Sequence, residues 1–181
     1  APIALCKNVT VQLDEFGFGS ITATDVDNGS NDACGIGSLV LSQTEFDCSH
    51  IGENEVTLTV TDSNGNSATC TATVTIEDNV APVAKTKDIT VQLNSSGNVS
   101  ITADDVNDGS EDACDIASLS VSPNSFTCSE VGLNTVTLTV TDTNGNSSTA
   151  TAIVTVQDKV NPIAVCNDIS VALDATGNYS V

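Results

Sequence analysis

The sequence predicts an all-β protein made of tandem immunoglobulin-like β-sandwich domains arranged end to end. Three observations predict this fold class. Apolar residues alternate with Thr at a period of two, turn signals separate the short alternating segments, and the whole pattern returns after 80 residues. About seven short strands per repeat is the size and rhythm of an immunoglobulin-like sandwich. No segment has the 3.6-residue apolar period of an amphipathic helix.

The repeat sets the predicted domain boundaries. Residues 1–80 align with residues 81–160 without a gap, and 47 of the 80 positions are identical. A third copy begins at Asn161, because Pro162-Ile-Ala-Val-Cys166 restates Pro2-Ile-Ala-Leu-Cys6. We therefore expect repeat one at 1–80, repeat two at 81–160, and the first strands of a truncated repeat three at 161–181. Both linkers contain Pro and lack Gly, which predicts stiff joints.

Alternating segments place the strands within a repeat. The predicted strands of repeat one are Val9–Leu13, Ser20–Ala23, Ser38–Ser42, Val56–Thr61 and Cys70–Ile76. Cys6 has the opposite parity to Val9 and Val11, so the chain should bulge or change sheets near Lys7 and Asn8. Phe46 and Phe126 repeat in phase and are predicted to be core. Phe16 and Phe18 do not repeat and are predicted to form an exposed patch that contacts another chain.

Composition restricts the classes of partner and compartment. The chain has no Arg, four Lys and a formal net charge of −20, so it should repel nucleic acid and anionic membranes. No hydrophobic run is long enough to span a bilayer. Seven cysteines in a chain rich in Thr, Ser and Asn indicate an oxidising, extracellular setting. The strongly patterned 39% of hydrophobic residues argues against disorder.

Comparison of the two repeats predicts the disulfides. Repeat one contains Cys6, Cys34, Cys48 and Cys70, whereas repeat two keeps Cys114 and Cys128 and has Thr86 and Ala150 at the other two positions. Cysteines that disappear together are expected to be partners, which predicts Cys6–Cys70, Cys34–Cys48 and Cys114–Cys128. Cys166 matches Cys6, so its partner is expected beyond residue 181. Zinc is a poor alternative, because no C-x₂-C pair and only one His are present.

An acidic loop recurs in both repeats and suggests a cation. Asp25-Val-Asp-Asn-Gly-Ser-Asn-Asp-Ala-Cys34 returns as Asp105-Val-Asn-Asp-Gly-Ser-Glu-Asp-Ala-Cys114. Carboxylates this close repel one another unless a cation intervenes, and ligation by oxygen alone favours Ca²⁺. The alternative is that Asp, Asn, Gly and Ser simply form turns and cap them.

The fold predicts that three acidic segments meet at the joint between repeats. In an immunoglobulin-like sandwich the acidic loop, the turn between the last two strands and the incoming linker share one pole. The predicted Ca²⁺ ligands at the joint of repeats one and two are Glu77, Asp78, Asn79, Asp105, Asp108, Asp112, Asp142 and Asn144. Repeat one should hold a half-built site of Asp25, Asp27, Asp32, Asp62 and Asn64, and Asp158 is the acidic residue of the next linker.

Two segments of repeat one resemble a known family. Pro2-Ile-Ala-Leu-Cys6 at the start, together with Asp62-Ser-Asn-Gly-Asn-Ser-Ala-Thr-Cys70-Thr-Ala-Thr-Val-Thr-Ile-Glu-Asp78 at the end, resembles the HYR module. That module is an immunoglobulin-like repeat of extracellular and bacterial surface proteins whose first and last strands are joined by a disulfide. The segment Asp27–Ile36 looks like the repeats of giant Bacteroidota adhesins. The resemblance implies a secreted cell-surface stalk or filament, often stabilised by calcium.

Catalysis is not predicted. A Ser-His-Asp triad could only use His50, whose equivalent in repeat two is Glu130, and no aromatic sugar platform accompanies the carboxylates. We predict a non-catalytic, extracellular adhesive stalk or filament, rigidified by Ca²⁺ at repeat joints and by disulfides within domains. Expected partners are further copies of the repeat in cis, self-association into filaments, and a surface or glycan target. The alternatives are a carbohydrate- or ice-binding module and a self-assembling pilin-like subunit.

Overall fold

The computed structural model describes residues 1–173 and 175–178. Repeat one contains β1 (Val9–Gln12), β2 (Phe18–Ser20), α1 (Ala23–Val26), β3 (Ile36–Leu41), β4 (Glu45–Asp47), a 3₁₀ turn (Cys48–His50), β5 (Gly52–Asp62) and β6 (Ser67–Glu77). Repeat two contains β7 (Ile89–Gln92), β8 (Asn98–Ser100), α2 (Ala103–Val106), β9 (Ile116–Ser122), β10 (Ser125–Thr127), a 3₁₀ turn (Cys128–Glu130), β11 (Gly132–Asp142) and β12 (Ser147–Gln157). The fold is all-β, as predicted, apart from these single helical turns.

Each repeat has a four-stranded and a two-stranded sheet. In repeat one the order is β1-β6-β5-β3 in the larger sheet, and β2 pairs with β4 in the smaller. Strand β1 runs parallel to β6, and the other pairs are antiparallel. Repeat two has the same order, β7-β12-β11-β9 with β8 paired to β10. None of the helices in the described residues is long and apolar enough to cross a membrane.

The period-two pattern buries one face of the long strands. The buried apolar residues of β5 and β6 are Val56, Leu58, Val60, Ala72, Val74 and Ile76, all at most 3% exposed. The Thr residues between them face outward because successive side chains of a strand point to opposite sides. Phe46 from β4 and Phe126 from β10 fill the two cores at 2% and 1% exposure, which confirms the prediction. Phe16 and Phe18 are 69% and 60% exposed, also as predicted.

The first strand changes pairing partners near Lys7 and Asn8, where the opposite parity of Cys6 predicted a bulge or a change of sheet. Ile3 and Cys6 form isolated antiparallel bridges with Asn31 and Asp27, and from Val9 onward the chain pairs instead with β6. Between these two pairings lie Lys7 and Asn8, which belong to no strand. This switch leaves Cys6 beside Cys70, and the predicted Cys6–Cys70 disulfide is confirmed.

The predicted strand Ser20–Ala23 is wrong except at Ser20, because Ile21, Thr22 and Ala23 belong to no strand. Strand β2 ends at Ser20, and Ala23 begins the one-turn helix α1. The reason is a capping box at Thr22: the Asp25 carboxylate accepts hydrogen bonds from the Thr22 N–H at 2.7 Å and from its hydroxyl. This local bonding outweighs the β propensity of Ile21 and Thr22. Strand β4 is not predicted from the sequence, because its three residues are too few to show an alternation.

The predicted disulfides Cys34–Cys48 and Cys114–Cys128 are wrong. Cys34 lies just before β3, whose first residue pairs with Asp62 at the end of β5, whereas Cys48 lies just before the start of β5. The two cysteines therefore sit at opposite poles of an 11-residue strand, roughly 33 Å apart. A disulfide needs Cα atoms within about 7 Å. Cys48 instead bonds Cys114 of the next repeat, with 5.3 Å between the Cα atoms, and Cys34, Cys128 and Cys166 are free.

The segment assigned to repeat three forms no strand within its described residues, 161–173 and 175–178. In repeats one and two, the first strand pairs with the last strand of the same repeat, as Val9 does with Val74. Residues 161–173 and 175–178 contain no counterpart of β6 or β12 with which Ile169 could pair. The assignment of 161–181 to a third repeat stays a prediction, and residues 174 and 179–181 lie outside the described residues.

Candidate metal centre at the repeat junction

Asp78 places a buried carboxylate in the linker between the repeats. It follows β6 directly and is only 6% exposed. Its Oδ1 accepts a hydrogen bond from the Val80 N–H at 3.0 Å, which folds the linker back on itself. Its Oδ2 is buried and has no hydrogen-bond partner among the described residues. Burying a carboxylate oxygen without a hydrogen-bond donor costs folding free energy, so a positively charged ligand at this atom would stabilise the fold.

Asp142 brings a second carboxylate from the turn between β11 and β12. It is 2% exposed, and its Oδ1 accepts hydrogen bonds from the backbone N–H groups of Asn144 and Asn146 at 2.9 and 2.8 Å. The side-chain amide of Asn146 donates to Asp142 Oδ2 at 2.9 Å and to the Asp78 carbonyl oxygen at 3.0 Å. The hairpin of repeat two is thereby tied to the linker, and the Asp142 carboxylate is held in place.

Asp112 contributes the third carboxylate from the acidic loop. The Cys114 N–H donates to Asp112 Oδ1 at 2.8 Å, which fixes the carboxylate at the start of a turn. One oxygen each of Asp78, Asp112 and Asp142 lies within 4.8 Å of the others. The predicted convergence of linker, acidic loop and hairpin turn at one pole is therefore confirmed.

Electrostatics disfavours three ionised carboxylates at this spacing. Two unit charges about 4.8 Å apart repel by roughly 3–4 kcal/mol at an effective dielectric near 20. That exceeds the roughly 1 kcal/mol that a typical hydrogen bond contributes. Burial raises the pKa of the Asp112 carboxyl, and the nearby charges of Asp78, Asp142 and Asp115 raise it further, against the lowering effect of the Cys114 hydrogen bond. The ammonium group of Lys85 forms an ion pair with Glu111 at 2.7 Å.

The donor set fits a hard cation. Carboxylate and carbonyl oxygens are the ligands that Ca²⁺ takes, six to eight in number, and the cluster offers only oxygens. The unpartnered Oδ2 of Asp78 points to the same need for positive charge. Three carboxylates with one buried orphan oxygen are thus a candidate Ca²⁺ centre built from both repeats.

Several residues predicted at this junction make other contacts. The Glu77 carboxylate and the Asn79 amide bond the side chain of Gln12 in repeat one. The Asp105 carboxylate caps α2 through Thr102, whose hydrogen bonds lower the pKa of Asp105. Asn144 supports the site through its backbone, and its side-chain oxygen accepts from the Thr143 hydroxyl at 3.0 Å. The Asp108 N–H donates to the Lys85 carbonyl oxygen at 3.0 Å.

The half-built site in repeat one stays a prediction, but two of its acids lie in the same local settings as their counterparts in repeat two. Asp62 reproduces Asp142: it is 5% exposed and is held by the same three groups of Asn64 and Asn66. Asp32 accepts from the Cys34 N–H at 2.8 Å, and the amino group of Ala1 lies 3.9 Å from its Oδ2.

The other two predicted acids of repeat one bond locally. Asp25 caps α1, and Asp27 accepts from the N–H groups of Ser30 and Gly29. In the next linker, Asp158 accepts from Val160 N–H at 2.9 Å, as Asp78 does from Val80.

The junction disulfide lies next to the acidic cluster. Cys114 is two residues from Asp112, and its Sγ reaches across to Cys48 of repeat one. Cys114 is 6% exposed because it packs into the hydrophobic core of repeat one rather than that of its own repeat. Both repeats keep cysteines at the positions of Cys48 and Cys114, and this is the sequence signal for the bond. A disulfide within each repeat would leave the same signal.

A family model for the HYR domain matches residues 1–76. The first repeat belongs to the HYR domain family. The disulfide between the ends of this HYR repeat, Cys6–Cys70, agrees with the resemblance noted in the sequence. Repeat two has Thr86 and Ala150 at those positions, and the Thr86 hydroxyl instead donates to the Thr151 carbonyl oxygen at 2.7 Å. No curated protein matches the chain.

Solved structures with some similarity to this chain include two protocadherin fragments and fibronectin(III)-like modules. Human mucin-like protocadherin EC1-2 has 18% identity and a TM-score of 0.43, over 87% of this chain and 98% of that one. Human protocadherin-24 EC1-2 has 13% identity and a TM-score of 0.44, over 88% and 99%. Fibronectin(III)-like modules of Clostridium thermocellum CbhA have 9% identity and a TM-score of 0.34, over 92% and 100%.

Proposed function

We propose that this chain is a non-catalytic segment of an extracellular adhesive stalk or filament whose consecutive HYR repeats are locked by Ca²⁺ and a disulfide. The observation that carries the proposal is the cluster of buried Asp78 and Asp142 with half-buried Asp112, which draws one carboxylate from the linker and two from repeat two. Ca²⁺ supplies the positive charge that turns their repulsion into attraction.

The residues around the cluster support a mechanical role. Asn146 ties the linker carbonyl to the hairpin, Cys114 binds repeat one covalently, and the acidic loop between them carries Asp112. Motion of one repeat against the other would have to break these ties together. A joint of this kind suits a rod whose reach is set by the number of repeats, and disulfides are typical of oxidising, extracellular compartments.

Ca²⁺ titration of matched variants tests this function. The first variant is Asp112→Asn, which keeps an oxygen to accept from Cys114 N–H but removes the charge. The control is Asp32→Asn, the same change at the equivalent position of repeat one, where Cys34 N–H is the donor and no three-carboxylate cluster forms among the described residues.

We expect Ca²⁺ to raise the melting temperature of the native chain and of Asp32→Asn. At a free concentration of 100 Kd the stabilisation is about 2.7 kcal/mol. Asp112→Asn should lose most of this gain and should be more stable than the native chain in chelator, because one like charge is gone. Equal Ca²⁺ responses in the two variants, or no response in the native chain, would rule the site out.

A further inference from the structure

A groove at the junction between the two repeats is lined mostly by apolar residues. Repeat one contributes Phe16 and Phe18, which are the exposed aromatic side chains of the described residues. The linker and the first residues of repeat two contribute Val80, Ala81 and the exposed Val83. The groove has a volume of about 710 Å³, within the roughly 300–1,000 Å³ that is typical of ligand pockets.

The two aromatic residues belong to a turn that is held in one conformation. Asp14 Oδ1 accepts hydrogen bonds from the backbone N–H groups of Phe16 and Phe18 at 2.9 and 3.0 Å. A side-chain carbon on Gly17 would lie 3.2 Å from that of Ala113, so the turn also packs against repeat two. A partner would meet a turn that is already ordered, which lowers the entropic cost of binding.

The fold does not require aromatic residues at these two positions. In repeat two they are Ser96 and Asn98, and the backbone makes the same turn, because Asn94 Oδ1 accepts from their N–H groups at 2.9 and 3.1 Å. Contiguous exposed apolar side chains that a fold does not need are typical of interaction surfaces. Binding therefore explains Phe16 and Phe18 better than folding stability does.

Carboxylates also line the groove and make it negative. Glu15 and Glu111 are exposed, and Asp112 lines the groove from the acidic cluster. The ammonium group of Lys85 pairs with Glu111, whereas Glu15 has no ion pair among the described residues. Ca²⁺ at the cluster would leave one negative charge there, because three carboxylates would meet one divalent ion. The groove is thus negative with or without the metal, in a chain whose net charge is −20.

We propose that this groove binds a basic segment of a partner protein in which apolar and cationic residues alternate. The apolar residues pack against the apolar lining, and a cationic side chain reaches Glu15 and lies against the ring of Phe16 or Phe18. A second copy of this chain is a poor occupant, because it has no Arg and carries the same strong negative charge. The inference goes beyond the proposed function, because the contact uses the groove and not the Ca²⁺.

Peptide binding to the native chain tests the charge requirement. The probe is a capped tetrapeptide of alternating Leu and Arg, and its control carries citrulline in place of Arg, which keeps the shape and removes the charge. NMR titration in Ca²⁺ and about 0.15 M salt, where charges more than about 8 Å apart are largely screened, measures the affinities. We expect saturable shifts of the amide signals of Phe16, Phe18 and Glu111, and binding of the citrulline peptide that is weaker on the order of tenfold.

Variants that copy residues of repeat two test the location of the contact. Phe16→Ser with Phe18→Asn removes both rings and should weaken binding of the Arg peptide on the order of tenfold. Glu15→Ser should weaken it roughly threefold. The matched control is Glu55→Thr, which removes the same charge from the outward face of β5, where no groove residue lies. This control should leave the affinity unchanged.

Four outcomes would overturn the inference. Equal affinities for the two peptides, or equal losses in Glu15→Ser and Glu55→Thr, would show that charge at the groove does not select the partner. Undiminished binding by the double Phe variant would place the contact elsewhere, and a dimer of the native chain that this variant abolishes would identify a second copy as the occupant.

Two further measurements keep the test independent of folding and of the metal centre. All of the substituted positions are exposed, so the variants should fold, and melting temperatures and thiol counts check this. The Ca²⁺-dependent melting temperature of the double Phe variant reports the acidic cluster separately. A normal Ca²⁺ response in a native chain that binds neither peptide overturns only the groove, whereas peptide binding without a Ca²⁺ response overturns only the metal centre.

Discussion

Cys114 of the second repeat is bonded to Cys48 of the first and is buried in the hydrophobic core of that first repeat. The boundary of the core therefore does not coincide with the boundary of the sequence repeat. Repeat two completes the core of repeat one, because the Ala113–Cys114 loop covers the end of a sandwich that ends in the 3₁₀ turn Cys48–His50. The same loop carries Asp112, so the covalent and the acidic parts of the junction move as one unit.

The two disulfides should differ in what their removal does to the molecule. Their sequence separations are 66 for Cys48–Cys114 and 64 for Cys6–Cys70, so chain entropy assigns both about 4 kcal/mol of stability. We expect the double variant Cys48→Ala, Cys114→Ala to lose this stability. It should also allow more motion of one repeat relative to the other. A broader distribution of end-to-end distances in small-angle X-ray scattering should follow.

The control for that prediction is Cys6→Thr with Cys70→Ala, which copies the residues of repeat two. Thr86 and Ala150 occupy these positions there, with a hydrogen bond from the Thr hydroxyl in place of the disulfide. This variant should melt at a lower temperature but keep the scattering profile of the native chain. Identical scattering from both variants would mean that Cys48–Cys114 does not stiffen the junction.

Gly17 should be required for the junction, and Gly29 offers a matched control. Both have positive φ, 78° and 84°, so Ala costs roughly 1–2 kcal/mol at either position. A side-chain carbon on Gly17 would also lie 2.7 Å from Cys48 Sγ, whereas one on Gly29 has nothing within 4 Å. We expect Gly17→Ala, and not Gly29→Ala, to lower the fraction of chains with the Cys48–Cys114 bond after refolding. Thiol counting measures it, and equal bonded fractions would contradict the packing argument.

The long strands and the meeting of the acidic segments could be predicted because each follows from a local rule applied along the chain. The Thr alternation sets the buried face of β5 and β6, and the order of strands in a sandwich places the loops at one pole. The positions of Asp78, Asp112 and Asp142 follow from that order. Short elements such as β4 and α1 could not be predicted, because three or four residues carry no measurable period.

The pairing of Cys48 could not be predicted because repeat comparison cannot separate a pair within one repeat from a pair between neighbours. Both arrangements keep the two cysteines in every copy. Only the length of β5, which separates Cys34 from Cys48 by about 33 Å, decides between them. The three carboxylates that meet could be separated from the larger acidic set only by side-chain geometry, since the Asp105 carboxylate is engaged by Thr102.

The pH dependence of stability should have opposite signs with and without Ca²⁺. The pKa of Asp112 in the folded chain is raised above its ordinary value of 3.8, chiefly by burial. In chelator the folded state therefore binds this proton more tightly than the unfolded state, and stability rises as the pH falls through the raised pKa. With Ca²⁺ present the same proton competes with the metal, so stability falls as the pH falls through that range.

Other carboxyls change the stability at lower pH, so their contribution can be separated from that of Asp112. Hydrogen bonds from Thr22 to Asp25, and from Asn66 to Asp62, lower the pKa of each, so their stabilisation is lost only as the pH falls below about 4. Melting temperatures measured from about pH 7 to about pH 4 thus report Asp112. Asp112→Asn should flatten the slope in chelator, because no titrating group remains at that position. Parallel slopes for the native chain with and without Ca²⁺ would show that Asp112 does not bind the metal.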